Sequence, residues 1–477
     1  MCPKKLSLAV NILLLCFSGV GLAQKLQTLV HQPPNGAGIG FLLTDGTVMF
    51  QGNSTSDWVK LTPDQSGSYV KGTWSKLASL PSGYAPLYFA SAVLADGRLV
   101  IEGGEYNNFN FLLTNQGAIY DPATDKWTSL KPPTGWKYIG DSPSVVLPDG
   151  RFVVGNKLDK RVAALDPKTL TWTALSSAGK KDFDAEEGWT LLQDGSFLTF
   201  DVKAAPHSER YVPSMSKWVS AGSTIVDLHS PHQGGCIQYP GGCYNPPGEV
   251  GPGLLRPDGT VLATGSYSNN GSAAGHTAIY DTATGKWTVG PDFPNGDSAG
   301  DSFAALLPNG RPLVLGDSGT LYEFDGKKLI PGPVAPGSLL VLPTGEVIVG
   351  SSPVQVYTSS GKPLASWAPK ITTSPASVTR GSTYKISGKQ FNGLSQAAAF
   401  GDEDETATNY PLVRITNQAS GHVFYAKTHD HSTMAVATGK TIVSTNFDVP
   451  AGMETGASSL VVVANGIPSK AVSVTVN

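Results

Sequence analysis

Short apolar runs separated by tight polar turns recur seven times along the chain. The copies read GFLLTDGTVMF, SAVLADGRLVI, SVVLPDGRFVV, WTLLQDGSFLT, GLLRPDGTVLA, AALLPNGRPLV and LVLPTGEVIVG. Their turns fall at Asp45-Gly46, Asp96-Gly97, Asp149-Gly150, Asp194-Gly195, Asp258-Gly259, Asn309-Gly310 and Thr344-Gly345. Asp-Gly and Asn-Gly pairs supply the positive φ values that a tight hairpin demands, so each copy predicts two paired strands. Consecutive turn glycines lie 51, 53, 45, 64, 51 and 35 residues apart, bracketing the roughly 40–50 residues of a four-stranded propeller blade.

A second pattern follows most turns: AIYDPATDKW (118–127), ALDPKTLTW (164–172), RYVPSMSKW (210–218) and AIYDTATGKW (278–287). Each reads as a strand, a polar hairpin and a strand opening on Trp, with Trp74 in the same place in the first repeat. One aromatic per repeat suits sheets that must bury both faces against neighbours. The stretch 25–36 resembles the repeat-ending 126–135, which predicts that the N-terminus supplies the outer strand of the last repeat and closes the ring. A rival donor is the PLASW segment, 363–367.

From Ala368 the repeat stops and short alternating segments begin, among them STYKISG, HVFYAKT and SSLVVVANG. The pattern predicts an all-β chain: a seven-bladed propeller over 24–367 and an immunoglobulin-like β-sandwich over 368–477. Residues 1–23 read as a secretory signal peptide. Lys4 and Lys5 precede an apolar run, and Gly21-Leu22-Ala23 offers small residues before a cut at Gln24. The expectation is a secreted monomer, extracellular or periplasmic.

Composition agrees. Gly 55, Pro 35 and only 15% charged residues suit a turn-rich β protein. A net charge of −3 with no basic run predicts neither nucleic-acid nor anionic-membrane binding, and no later stretch is long and apolar enough to span a bilayer. After signal removal two cysteines remain, Cys236 and Cys243, and an even pair in an exported chain predicts a disulfide.

The paired hairpin and AxxYDPxTxxW elements resemble kelch repeats. A secreted kelch propeller followed by a small sandwich is similar to galactose oxidase and its relatives. That resemblance implies a copper-radical site built from two Tyr, two His and a Cys cross-linked to one Tyr. One Tyr-His pair would fall at Gly300-Asp301, ahead of the Ala305–Pro308 run, and a His would fall in FGDEDETATN, before Pro411–Asn417. Neither place carries these residues, so copper-radical oxidation is not expected.

Counting back from each turn to the start of the preceding strand gives Ala37, Tyr88, Asp141, Glu186, Val250, Asp301 and Pro336, with Glu187 and Glu249 beside them. In a propeller these points line one mouth of the central channel. Carboxylates gathered there can hold a hard cation such as Ca²⁺, bond sugar hydroxyls with Tyr88, Trp136 or Trp189 as stacking platforms, or divide acid and base roles. They can also merely cap strand ends and hold channel water. The expected ligand-binding set is Tyr88, Asp141, Glu186, Glu187, Glu249 and Asp301. The disulfide-bearing insert 228–249 is expected to project over the same face as a recognition loop.

Three readings of function follow: carbohydrate or extracellular-polymer binding without catalysis, a carboxylate-dependent glycan hydrolase or lyase, and a structural adhesion protein. No cofactor is assigned beyond the Ca²⁺ option. His429 and His431 are weaker metal candidates, because alternate strand residues share a face. The acidic run 401–405 reads as an exposed turn, and Asn53 and Asn270 head sequons that matter only in a glycosylating host.

Overall fold

The computed structural model describes residues 24–231, 234–267, 275–400 and 405–477. The signal-peptide reading, the sequon at Asn270 and residues 401–404 of the acidic run lie outside them. The described chain is all-β and propeller-like. It has no α-helix, only two short 3-10 turns, and no helix long and apolar enough to cross a membrane.

Seven antiparallel four-strand units account for the repeat among the described residues. The first runs Gly40–Leu42, Val48–Gln51, Trp58–Thr62 and Thr73–Lys76 in spatial order, and the third runs Ser144–Val146, Phe152–Asn156, Asp159–Asp166 and Thr171–Leu175. The first strand of each unit faces its counterparts. Ser144 Oγ donates to Ser91 O at 3.1 Å, Thr190 Oγ1 to Gly253 O at 2.8 Å and Ser338 Oγ to Gly38 O at 2.7 Å, tying units two to three, four to five and seven to one.

The hairpin turns have one glycine at positive φ, from +76° at Gly46 to +91° at Gly150, while the preceding Asp or Asn is not in that region. Each loop is thus a three-residue turn with glycine in the left-handed position, not the two-residue turn with both central residues at positive φ. The Asp anchors it from the side: Asp45 Oδ1 accepts from Thr47 N at 3.0 Å, and Asp194 Oδ1 from Ser196 N at 3.0 Å.

Except at Trp218, whose buried indole N–H makes no hydrogen bond, the recurrent Trp ties neighbouring units together. The indole N–H of Trp127 donates to Ala78 O at 3.0 Å, that of Trp172 to Lys131 O at 2.8 Å and that of Trp287 to Ala221 O at 3.0 Å, each at the end of the preceding unit's outer strand. A large apolar ring covers the sheet face while its one polar atom finds a carbonyl.

The ring closes through the N-terminus. Lys25–Thr28 pairs antiparallel with Gln355–Thr358 and completes the seventh unit; 363–367 forms no strand. Pairing removes an exposed edge that would otherwise template aggregation.

Beyond the ring, nine strands from Lys370–Thr373 to Val472–Val476 enclose a separate core that includes Val378, Ile386, Phe391, Phe447 and Leu460. This C-terminal region covers the turn-bearing end of the ring. Thr428 N donates to Thr44 O, His431 N to Ala95 O and Met434 N to Pro148 O, all at 3.1 Å. One of its strands, Ala398–Ala399, pairs with Ala304–Ala305 and enters the sixth unit. The opposite end, where each inner strand begins, is left for the site.

Candidate functional site

At the strand-start end lies a cavity of about 390 Å³ whose acidic lining is Glu105, Glu186, Glu249, Asp301 and Asp317, with Tyr267, Ser266 and the 228–249 insert forming the rest of the wall. Three of the positions found by counting back from the turns share a backbone feature. Tyr88, Glu186 and Asp301 have φ of +56°, +60° and +48°. Non-glycine residues rarely adopt this conformation, and the cost is borne where the surroundings dictate the geometry.

Beneath the cavity Lys157 is fully buried. Its ammonium bonds Asp141 in a very short contact and Glu186 Oε2 at 2.7 Å, and it lies 5.2 Å from the Tyr244 ring centroid. Tyr244, from the insert, donates its hydroxyl to Glu186 Oε1. Burial alone would push the Lys157 ammonium down, but Asp141 and Glu186 outweigh it and hold the group above its ordinary value. One lysine serves two carboxylates, so burial leaves Asp141 above the usual carboxylate range.

Glu249 and Asp301 form the other half. Burial pushes the Glu249 carboxyl up to about 11, with Glu186 and Asp301 adding negative charge nearby. Asp301 stays open to water inside the cavity, yet the surrounding protein and Glu186 push it up to about 7, against a lowering hydrogen bond from Glu249. A neutral Glu249 donating to Asp301 is one proton shared by two carboxyls. Glu105 is raised in the same way, first by burial and then by Glu186, with Lys157 opposing.

These shifts fix a sign for stability against pH. A carboxyl raised in the folded state binds more protons folded than unfolded, so its contribution is complete below the unfolded value and is lost as pH rises through the folded one. For Asp301 that window runs from the ordinary carboxylate range to about 7, and for Glu249 up to about 11. Unfolding midpoints are therefore expected to fall between pH 5 and 8. Glu249→Gln should flatten that slope by about one proton per chain, read from urea midpoints at several pH values.

Several expected members stand elsewhere. Glu187 does not line the cavity. It follows Glu186 in sequence, turns to the other side of the chain and meets Lys180 Nζ at 3.3 Å and Thr199 Oγ1 at 3.2 Å. Asp141 lies below the lining, held by Lys157. Tyr88, 45% exposed, packs edge-on to Tyr106 beside Glu105 without entering the lining. Trp189 is buried against Phe197 and Trp218, and Trp136 lies under Arg161, so neither offers an open stacking face.

The histidine pair is also divided. Asp430, at φ +51°, breaks the strand alternation. His429 faces Asp430 and Asp448 at 2.7 and 3.2 Å, whereas His431 is buried with Nδ1 2.9 Å from Thr445 Oγ1. Burial pushes the His431 imidazole down to about 3. The predicted disulfide is present: Cys236–Cys243 staples the hairpin Ile237–Tyr239 and Gly242–Tyr244 within the insert.

Sequence reasoning missed Glu105, Lys157, Tyr244 and Asp317. A second count would have found three of them. Seven or eight residues after the turn glycine, where the second strand returns to the cavity end, stand Glu105, Lys157, Tyr267 and Asp317. Among the described residues lining the cavity there is no histidine or cysteine. The carboxylates and hydroxyls of that lining supply no imidazole, of which the resembled copper site needs two.

No family model matches the chain. Over 124 residues it is 32% identical to the Kelch-like protein terF of Aspergillus terreus, a match covering 23% of this chain and 26% of that protein, so the chain spans about a quarter of that relative's length. Among solved structures it is similar to a fungal alcohol oxidase of the AA5 family in complex with copper. The TM-score is 0.51 at 13% identity, covering 95% of this chain and 100% of that one, a likeness of fold alone. A virginiamycin B lyase from Staphylococcus aureus aligns with a TM-score of 0.47 at 11% identity over 71% of this chain and 99% of that one; no conclusion rests on it.

Proposed function

We propose that this chain is an exported kelch-type protein, a seven-bladed propeller over 24–367 with an immunoglobulin-like sandwich over 368–477, whose acidic cavity binds carbohydrate or another hydroxyl-rich extracellular polymer without copper-radical chemistry. Seven four-strand units joined into a ring, and a disulfide in the exposed insert, support the first half. One observation carries the second: a cavity of about 390 Å³ in which Glu105, Glu186, Glu249 and Asp301 converge. Ionised carboxylates accept hydroxyl bonds, and the Ser266 and Tyr267 hydroxyls of the wall can donate, which is the mixture that vicinal hydroxyls require. Tyr267, 39% exposed at the wall, and Tyr88 at its edge present faces on which a sugar ring can lie.

Screening the purified protein on a glycan array tests this. The expected result is retention of at least one neutral or cationic glycan class, displaced by the same glycan in solution. Retention of none would overturn the reading.

The Glu249–Asp301 pair favours a second reading, a glycan hydrolase or lyase. Two carboxyls whose surroundings push them apart are the usual means of dividing acid and base roles. Polysaccharide turnover that disappears in Glu249→Gln, with folding intact, would establish catalysis in place of binding alone.

A further inference from the structure

Behind the Glu186–Glu187 step, inside the fourth unit, lies a second polar cluster separate from the cavity. Asp184, Glu187, Asp201 and Glu209 are each no more than 2% exposed. Facing them is Lys180, with Nζ 3.1 Å from Asp184, 3.3 Å from Glu187 and 2.8 Å from Glu209. Four buried carboxyls face one lysine and one histidine, so either protons on the carboxyls or a further cation must balance them.

We propose that Asp201, His207 and Glu209 form a divalent transition-metal site. One donor atom from each lies within 4.8 Å of the others. The local fold explains why. Asp201 follows the strand Phe197–Phe200, and the chain turns back so that Asp201 N bonds His207 O at 2.9 Å. His207 and Glu209 then alternate on the returning strand His207–Val212 and share a face.

A second observation points to a missing partner. Asp201 Oδ2 faces His207 Nδ1 at 2.5 Å, but its Oδ1 is buried with no hydrogen-bond partner, in a residue 2% exposed. His207 Nε2 lies 3.1 Å from Ser220 Oγ. The ion would take the place of the proton between His207 Nδ1 and Asp201 Oδ2, which is released to solvent, while Nε2–H donates to Ser220, the arrangement in which metal-bound histidines are usually oriented. Glu209 accepts from Lys180 Nζ at 2.8 Å and from Lys181 N at 2.9 Å, and each carboxylate oxygen retains a second lone pair.

Imidazole with two carboxylates suits Zn²⁺ or Mn²⁺ better than the all-oxygen shell of Ca²⁺. Zn–N and Zn–O bonds of about 2.0–2.2 Å need the donors roughly 3.2–3.6 Å apart, so side-chain rotation must adjust the three, opening the 2.5 Å contact between Asp201 Oδ2 and His207 Nδ1 to admit the ion. The His207 side chain is 24% exposed and gives the ion its path in.

The experiment uses the full secreted chain stripped with EDTA, titrated calorimetrically with Zn²⁺ and separately with Mn²⁺. One equivalent of either ion should bind. His207→Ala should weaken that binding at least tenfold, and the double variant Glu249→Gln/Asp301→Asn should bind as the wild type does. Because His207 is partly exposed its replacement should fold, and a far-UV spectrum checks this; His207→Gln serves if it does not. No saturable uptake of either ion, uptake unchanged in the His207 variant, or uptake lost in the cavity double variant would each overturn the proposal.

Discussion

Replacing Lys157 with methionine is expected to lower stability at pH 7 by ~3–5 kcal/mol, the usual cost of removing one partner from a buried ion pair. Its side chain is fully buried, and the change would strand Asp141 and Glu186 without their cation. The urea midpoint reads the effect. At pH 5 the loss should shrink, because the stranded carboxyls can take up protons. A change below ~1 kcal/mol at pH 7 would mean that water, not Lys157, compensates these carboxylates. The same substitution should loosen the disulfide hairpin, since Tyr244 donates to the Glu186 carboxyl that Lys157 also holds.

The second large effect concerns closure of the ring. Deleting residues 24–30 removes the strand Lys25–Thr28 and the buried Leu29, and bares the edge at Gln355–Thr358. Burying one leucine contributes about 1.5–3 kcal/mol and each ladder bond about 0.5–1.5 kcal/mol, so the loss should be on the order of 5 kcal/mol. Concentration-dependent aggregation should accompany it, because the uncovered strand is an open template. Thermal midpoint and light scattering on the truncated protein check both. An unchanged midpoint would mean that the seventh unit holds without its outer strand.

Much of this fold was legible because its signals are local. Asp-Gly pairs mark the turns, because backbone geometry favours Gly there, and Trp at a fixed offset marks the outer strand in the first five units, where all but Trp218 bond the neighbouring unit. N-terminal closure was one of two open readings, because the likeness of 25–36 to 126–135 did not exclude the 363–367 donor, and only the pairing of Lys25–Thr28 decides it. The turn type was misjudged, because the dipeptide does not reveal whether one or both residues take positive φ.

The site was half legible. Counting back from the turns reached Glu186 and Asp301 and, by adjacency, Glu249. It could not tell Glu186 from Glu187, which differ only in the side of the chain they face. Lys157 and Glu105 escaped because they come from the returning second strand, where sequence distance from the acidic residues hides spatial contact. Tyr244 escaped because an insert's docking is set by tertiary contacts. Trp136 and Trp189 looked like platforms only because burial cannot be read from residue type.

The central proposal is that the acidic cavity is where the ligand binds. Its most direct test is the calorimetric affinity for the best glycan from the array, measured on wild type, Glu249→Gln and Asp301→Asn with matched thermal midpoints. Loss of one or two charged or strongly donating hydrogen bonds, at about 1.5–3 kcal/mol each, predicts a drop of at least tenfold in each variant. Affinities within twofold of wild type in both would contradict the account.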